Sequence, residues 1–317
     1  MFRTTITKIR NHRLAMALCL ALLLATPAVA QFTGHNILGD FGLKSGSQPP
    51  IGFYAGYMYY KYDTNTLVGA GNVTLPGSGS RNLTVMAHGL LTSWVTPKKV
   101  LGANIGGVVV FPWLNGSINA PQLDATGSFG YSDTYVQPVN LGWKTKHADI
   151  LSAYAFFAPT GKYEPGALDN RGKGFWSHEL TLGTTVYLDE AKTWSVATTG
   201  FYEMHTTRKG GDVKVGDILT LEGGFAKTLK RIINVGPAYY AQWKVTSDSG
   251  PGVPALFKSN KHRVFGVGPE ISVFLPTKMS GQHVESGVNA SVRYLWETGA
   301  VMKTQGNSLI IALAYLF

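Results

Sequence analysis

A single cysteine, sparse charge and the lack of any long amphipathic helical pattern narrow what this chain can be. The one cysteine, Cys19, falls inside a stretch that reads as a targeting leader. Arg3, Lys8, Arg10 and Arg13 open that stretch, an apolar run over 14–25 follows, and Ala28-Val29-Ala30 supplies small residues for cleavage before Gln31. The run is too short for a stable anchor, and bulky Leu18 before Cys19 argues against a lipoprotein. With residues 1–30 removed no thiol is left, which excludes disulfides and thiolate metal sites. Charged residues are only 15% of the chain, and four of the cations behind its +10 formal charge belong to the leader. The remaining charge is dispersed and shows no basic patch interleaved with aromatics, so no nucleic-acid partner is expected. His88, His147, His178, His205, His262 and His283 are scattered without ligand spacing, and the serines show no nucleophile elbow. No catalytic residue, metal or cofactor is therefore expected. Residues 100–123 lack charge altogether, yet Pro112, Asn115, Asn119 and Pro121 make them a strand and a loop, not a helical span.

What is abundant is glycine, with 38 residues, and aromatics at 12%, a pairing that suits strands better than helices. Alternation supplies the direct signal. Val284, Ser286, Val288, Ala290, Val292, Tyr294 and Trp296 share one face, while Glu285, Asn289, Ser291, Arg293 and Glu297 share the other. The chain closes on the same pattern, with Leu309, Ile311, Leu313, Tyr315 and Phe317 on one side. Twelve such segments are predicted, near 51–62, 82–94, 99–111, 133–144, 148–158, 175–188, 194–206, 217–229, 232–246, 262–276, 283–297 and 307–317. Each is close to the roughly 9–11 residues that a tilted strand needs to cross a bilayer. The fourth is the least regular, because Pro138 interrupts its ladder and 124–131 competes with it.

The connections separate a barrel from a soluble sandwich. Five are tight, around Pro97-Lys98, Thr145-Lys146, Glu190-Ala191, Lys230-Arg231 and 277–282. Six are long, around 63–81, 112–132, 159–174, 207–216, 247–261 and 298–306. Short turns on one rim and long loops on the other predict an all-β fold, a closed transmembrane antiparallel barrel with periplasmic turns and extracellular loops. Tryptophans sort the same way: Trp94, Trp143 and Trp194 at short-turn ends, Trp113, Trp176, Trp243 and Trp296 at long-loop ends, as two interfacial belts require. Residues 51–317 would form the barrel. Residues 31–50, with Gly34, Gly39, Gly42 and Gly46 before Pro49-Pro50, suit neither ladder nor helix and are read either as a plug in the periplasmic mouth or as a loose tail.

Two stretches carry a family resemblance. Gly39-Asp40-Phe41-Gly42-Leu43 followed by Gln48-Pro49-Pro50-Ile51-Gly52-Phe53-Tyr54 is similar to the start of the meta-pathway phenol-degradation proteins. Phe157-Ala158-Pro159-Thr160-Gly161-Lys162-Tyr163 and Gly172-Lys173-Gly174-Phe175-Trp176 resemble that family's central signature. The resemblance implies an outer-membrane barrel considered a transporter beside aromatic-degradation enzymes, and it implies no catalytic residue. It leads to the expectation of a channel for passive uptake of a small hydrophobic or aromatic solute, no energy-coupling segment being evident. A structural or adhesive barrel with an occluded lumen is the alternative, and an outer-membrane enzyme a weaker one. Expected partners are outer-membrane lipid, the barrel-assembly machinery through the strand ending at Phe317, and the solute.

Strand parity assigns the lumen face, since a charge facing lipid would cost a few kcal/mol. It points Glu179, Phe201, Glu203, His205, Glu222, Tyr240, Lys244, Glu270 and Arg293 inward, together with His88. Glu179 and Glu203 lie equally far from the turn near Ala191, so a tight hairpin would set the two carboxylates directly opposite each other. The pair could form an acidic patch that orients a solute, or be neutralised by Arg293 or Lys244 as a brace. Pro159-Thr160-Gly161 reads first as a loop start and Asp169-Asn170 as a loop pair without calcium-loop spacing.

Overall fold

The computed structural model describes residues 33–75, 78–80, 82–120, 123–167, 169–253, 258, 261–280 and 283–317. The expected leader at 1–30 lies outside these residues. From Gly34 onward the chain is one compact unit. Twelve antiparallel strands close into a barrel: β1 Gly52–Val68, β2 Asn82–Val100, β3 Ala103–Ala120, β4 Thr134–Lys144, β5 Ala148–Ala158, β6 Ser177–Tyr187, β7 Trp194–His205, β8 Ile218–Leu229, β9 Ile233–Lys244, β10 Arg263–Ser280, β11 His283–Val301 and β12 Lys303–Leu316. Each pairs with its sequence neighbour, and the first and last strands pair across the seam from Tyr54↔Leu316 to Val68↔Lys303. Phe317 N–H donates to Phe53 O at 2.9 Å, so the terminal residue completes that seam. Closure satisfies every edge that lipid could not hydrate.

Alternation builds the wall. On β6, Leu180 and Leu182 are 51% and 67% exposed, whereas Glu179 and Thr181 between them are buried. The outward side chains form the apolar band and the inward ones meet the interior. Several strands outrun the sequence expectation, β1 to Val68 and β3 to Ala120 inside the loops expected at 63–81 and 112–132, and local chemistry shapes the strands in three further places. β2 runs through Pro97 to a turn at Leu101 and Gly102, both with positive φ, 51° and 81°. Proline has no N–H to give to a ladder, and the register shifts between Val95 and Lys99. Asn104 Nδ2 donates to Thr96 O at 2.9 Å across that bulge. The expected loop at 298–306 is replaced by strand pairing up to Val301 and from Lys303, turning at Met302 with φ 51°. Pro138 lies within β4, where the register shifts against both β3 and β5. The bulge changes parity, so that Gln137 and Asn140 are both buried. The competing stretch does not replace β4. Leu123–Thr126 and Gly130–Tyr131 pair instead with the upper part of β3.

Candidate functional site in the barrel lumen

The interior is shared between inward side chains and residues 34–50, which thread it lengthwise. Proline pairs, glycines and few apolar residues leave this segment without a regular element, so its backbone N–H groups must find acceptors elsewhere. The barrel wall supplies carboxylates. Glu203 accepts the N–H of His35 at 2.5 Å and of Asn36 at 3.4 Å. Glu222 accepts from Gly39 at 2.6 Å and Phe41 at 3.0 Å. Glu270 accepts from Leu43 N at 3.1 Å and from Arg293 Nε at 2.6 Å. Arg293 also donates to Gly39 O. Hydrogen bonds to charged acceptors stabilise by about 1.5–3 kcal/mol each, so this ladder holds the segment firmly. Leu38 and Leu43 join a buried cluster with Tyr240, Leu295 and Ile310.

The two ends are fixed by different chemistry. Near the long loops, His35 Nε2 meets Asp133 Oδ2 at 2.9 Å and its Nδ1 meets Ser177 Oγ at 2.6 Å. Its ring stacks on Phe157 at 4.8 Å, and Lys173 donates to Gly34 O. Burial pushes the His35 pKa down, against the pull of Asp133. The Lys173 ammonium is likewise pushed down by burial, to about 8. Toward the short turns, Gln48 Nε2 donates to Asn140 Oδ1 at 2.6 Å and Asn104 O at 3.1 Å. The segment therefore runs from the long-loop end to the short-turn end, farther than a plug confined to the periplasmic mouth would reach and unlike a loose tail.

Asp40 breaks the pattern. Its neighbours Gly39 and Phe41 are tied to Glu222, yet Asp40 itself remains exposed in mid-lumen. Solvent-sized space thus lies beside the segment, although the barrel encloses it. Enclosure pushes the Asp40 carboxyl up to about 7, opposed by the Arg293 charge.

Glu179, Phe201, Glu203, His205, Glu222, Tyr240, Lys244, Glu270 and Arg293 are all buried against this interior. His88 is not among them. It pairs with Tyr59 on the outward face, and Tyr57 Oη lies 2.6 Å from its Nδ1, which satisfies the ring there. The inward positions around it are Ala87 and Gly89, small residues that give parity little to read. Glu179 and Glu203 do stand opposite each other in the register. Neither expected cation reaches them: Arg293 serves Glu270, and Lys244 binds Asp248 at 2.7 Å. The segment takes that role through the His35 and Asn36 amides and the Asn36 side chain, which bonds Glu179. In the loop, Asp169 is held by Lys162 at 2.7 Å and Asn170 by the Glu164 backbone, so both brace the chain locally. Among the described residues no three His, Cys, Asp or Glu side chains gather as a metal site.

The model of the family described as "Putative MetA-pathway of phenol degradation" matches residues 55–313. The chain belongs to that family. No curated protein matches it. Among solved structures, this family member is similar to the COG4313 outer membrane channel from Pseudomonas putida F1, with TM-score 0.70 and 13% identity over 89% of this chain and 100% of that one. The β domain of the Bordetella autotransporter Brka gives TM-score 0.45 at 11% identity, over 84% and 100% of the two chains. A Pseudomonas aeruginosa FadL homologue gives 0.38 at 9%, over 84% and 90%. At 13% identity the first of these shows the fold, a closed twelve-stranded antiparallel barrel of the outer-membrane kind. Sequence reasoning missed His35, Asp40, Asp133 and Lys173 as lumen residues of the family member. His35, Asp40 and Lys173 lie outside the expected strands, where parity assigns nothing, and Asp133 stands at the first position of the expected strand 133–144, just before β4 begins at Thr134. For His35 and Asp40 the spaced glycines were the available signal.

Proposed function

We propose that this protein is an outer-membrane channel that lets a small hydrophobic or aromatic solute move passively down its gradient. The family and the fold support a channel, and the apolar outer band with its tryptophan belts supports residence in the membrane. The observation that carries the reading is Asp40, exposed in the middle of an enclosed lumen, because a wholly packed interior would leave no such surface. The segment would line one side of the path and limit its width, while half-buried Phe41, held against buried Phe201 at 4.7 Å, offers the solute an aromatic surface. The dense bonding of the segment favours a second reading, a structural barrel kept closed. Single-channel recording in planar bilayers separates the two. The channel reading expects small discrete current steps that a small aromatic solute interrupts. Silence from both the intact barrel and a form lacking residues 32–48 would establish the structural reading instead.

A further inference from the structure

Cations collect at the short-turn end of the barrel and are not used by the lumen. Lys98, Lys99, Lys230 and Arg231 sit at the ends of β2 and β8 or in the turn that follows, all exposed, whereas Lys144 shares the inward face of β4 with Asn140 and stands across from buried Asp149. None of these four makes an ion pair among the described residues. Lys146 and Lys278 on the same rim are exposed too, paired to Glu190 at 3.1 Å and Glu285 at 2.6 Å. The other acids there are already engaged. Asp189 accepts Trp194 N at 2.7 Å and Thr193 Oγ1 at 2.8 Å, and buried Asp149 accepts Tyr187 Oη at 2.8 Å. At the long-loop end Lys61, Lys162 and Lys244 each find an aspartate at 2.7 Å. On the short-turn rim net positive charge is left uncompensated.

The surroundings of these cations are those of an interface with lipid. Leu101, at the tip of the β2–β3 turn, is 84% exposed, and Trp143 Nε1 donates to its carbonyl at 2.9 Å. Trp194 stacks on Phe225 at 5.2 Å on the outward face, and Lys227 Nζ lies 4.5 Å above the same indole. An ammonium over an interfacial tryptophan is a side chain reaching from the apolar band toward headgroup level. The cations are spread around a rim beside apolar anchors and do not converge on a pocket. That arrangement fits a sheet of phosphates better than one bound anion or one acidic protein.

We infer that the short-turn rim is a docking ring for anionic phospholipid, with Lys98, Lys99, Lys230 and Arg231 contacting headgroup phosphates while Leu101, Trp143 and Trp194 fix the depth. This rests on the reading of the protein as a membrane barrel. The test refolds the full chain into vesicles of phosphatidylcholine alone and of phosphatidylcholine with phosphatidylglycerol in equal amounts. Native mass spectrometry then counts the lipids each barrel retains. Retention of phosphatidylglycerol in preference to phosphatidylcholine is expected. It should fall by about fivefold for each cation removed at low salt, and most in the quadruple variant K98Q/K99Q/K230Q/R231Q. The variant K258Q/K261Q, at the long-loop end, should retain the preference. Equal retention of both lipids by correctly inserted wild-type barrels would overturn the inference, as would an unchanged preference in the quadruple variant. Failure to insert into either vesicle would instead count against the membrane reading. Because glutamine keeps the polarity of these exposed side chains without their charge, a variant that unfolds is not expected. A heat-modifiable gel band confirms the fold in each case.

Discussion

A β-carbon on Gly46 would stand 2.2 Å from the Thr184 carbonyl carbon and 2.3 Å from its amide nitrogen, so the obstacle is barrel backbone that cannot rotate away. Gly39 is constrained twice, by φ of +80° and by Leu295 Cδ1 at 2.3 Å from a β-carbon. Glycine is therefore what lets this segment lie against the wall at all. Gly46→Val should dislodge the lower half of the segment and raise single-channel conductance. It should also lower the temperature at which the heat-modifiable band unfolds, in line with an overpacking cost of about 1–3 kcal/mol. Gly211→Ala, where nothing lies within 4 Å, serves as the control and should change neither. A Gly46→Val barrel that conducts and melts like the wild type would mean that the segment does not sit there in the membrane. At this scale the sequence is a good guide wherever two faces differ in polarity. Glu203 stands between Tyr202 and Met204, and its inward direction is plain. His88 stands between Ala87 and Gly89, two residues that would be tolerated on either face, so alternation has no contrast from which to place it.

Elements that repeat a two-residue period were legible because lipid outside and polar groups inside enforce that period. Where proline intervenes the period fails. β2 survives Pro97 through a bulge, and β4 survives Pro138 by changing parity, neither of which single-strand patterning can anticipate. The rims were less legible than the walls, because the ladder between β11 and β12 ends at Trp296↔Asn307 and residues expected as a loop of nine pair instead with β10 and β1 on either side of Met302. The segment at 34–50 was recognisable as irregular, but not where it runs. Its path is set by Glu203, Glu222, Glu270 and Asn140, acceptors on four different strands that become a line only when the barrel closes. Deleting residues 32–48 removes the donors of this ladder and should widen the lumen. Conductance several-fold above the intact barrel is expected, measured on protein that still shows the heat-modifiable band. Unchanged conductance in folded barrels would show that wall side chains, not the segment, set the bore.

For the whole molecule, pH sets two docking groups of the segment against each other. Asp40 has a carboxyl held up to about 7 in the docked state against an ordinary 3.8, with enclosure inside the barrel the main cause and Glu222 and Arg293 facing it. A raised carboxylate pKa means that the docked form binds the proton that the released form gives up. This contribution to docking is complete below the ordinary value and is lost as pH rises through about 7. His35 works in the opposite sense. Burial lowers its pKa below 6.5 while Asp133, Glu203 and Lys173 surround it, so below 6.5 the released form takes up a proton that the docked form refuses. Lys173, pushed down to about 8, is mostly charged below about 7.5. As pH falls from about 7.5 to about 6.5 Asp40, with Glu222 facing it, takes up its proton and docking tightens. Below about 6.5 His35 opposes Asp40, and the tightening slows. Single-channel conductance should therefore drop on acidification to about pH 6.5 and change less steeply below it. Asp40→Asn removes the first response and leaves the second, so its conductance should be level between about pH 7.5 and about 6.5 and rise on further acidification. A wild-type conductance that rises steadily as pH falls, or an Asp40→Asn profile that matches the wild type, would show that these two residues do not govern how tightly the segment is held.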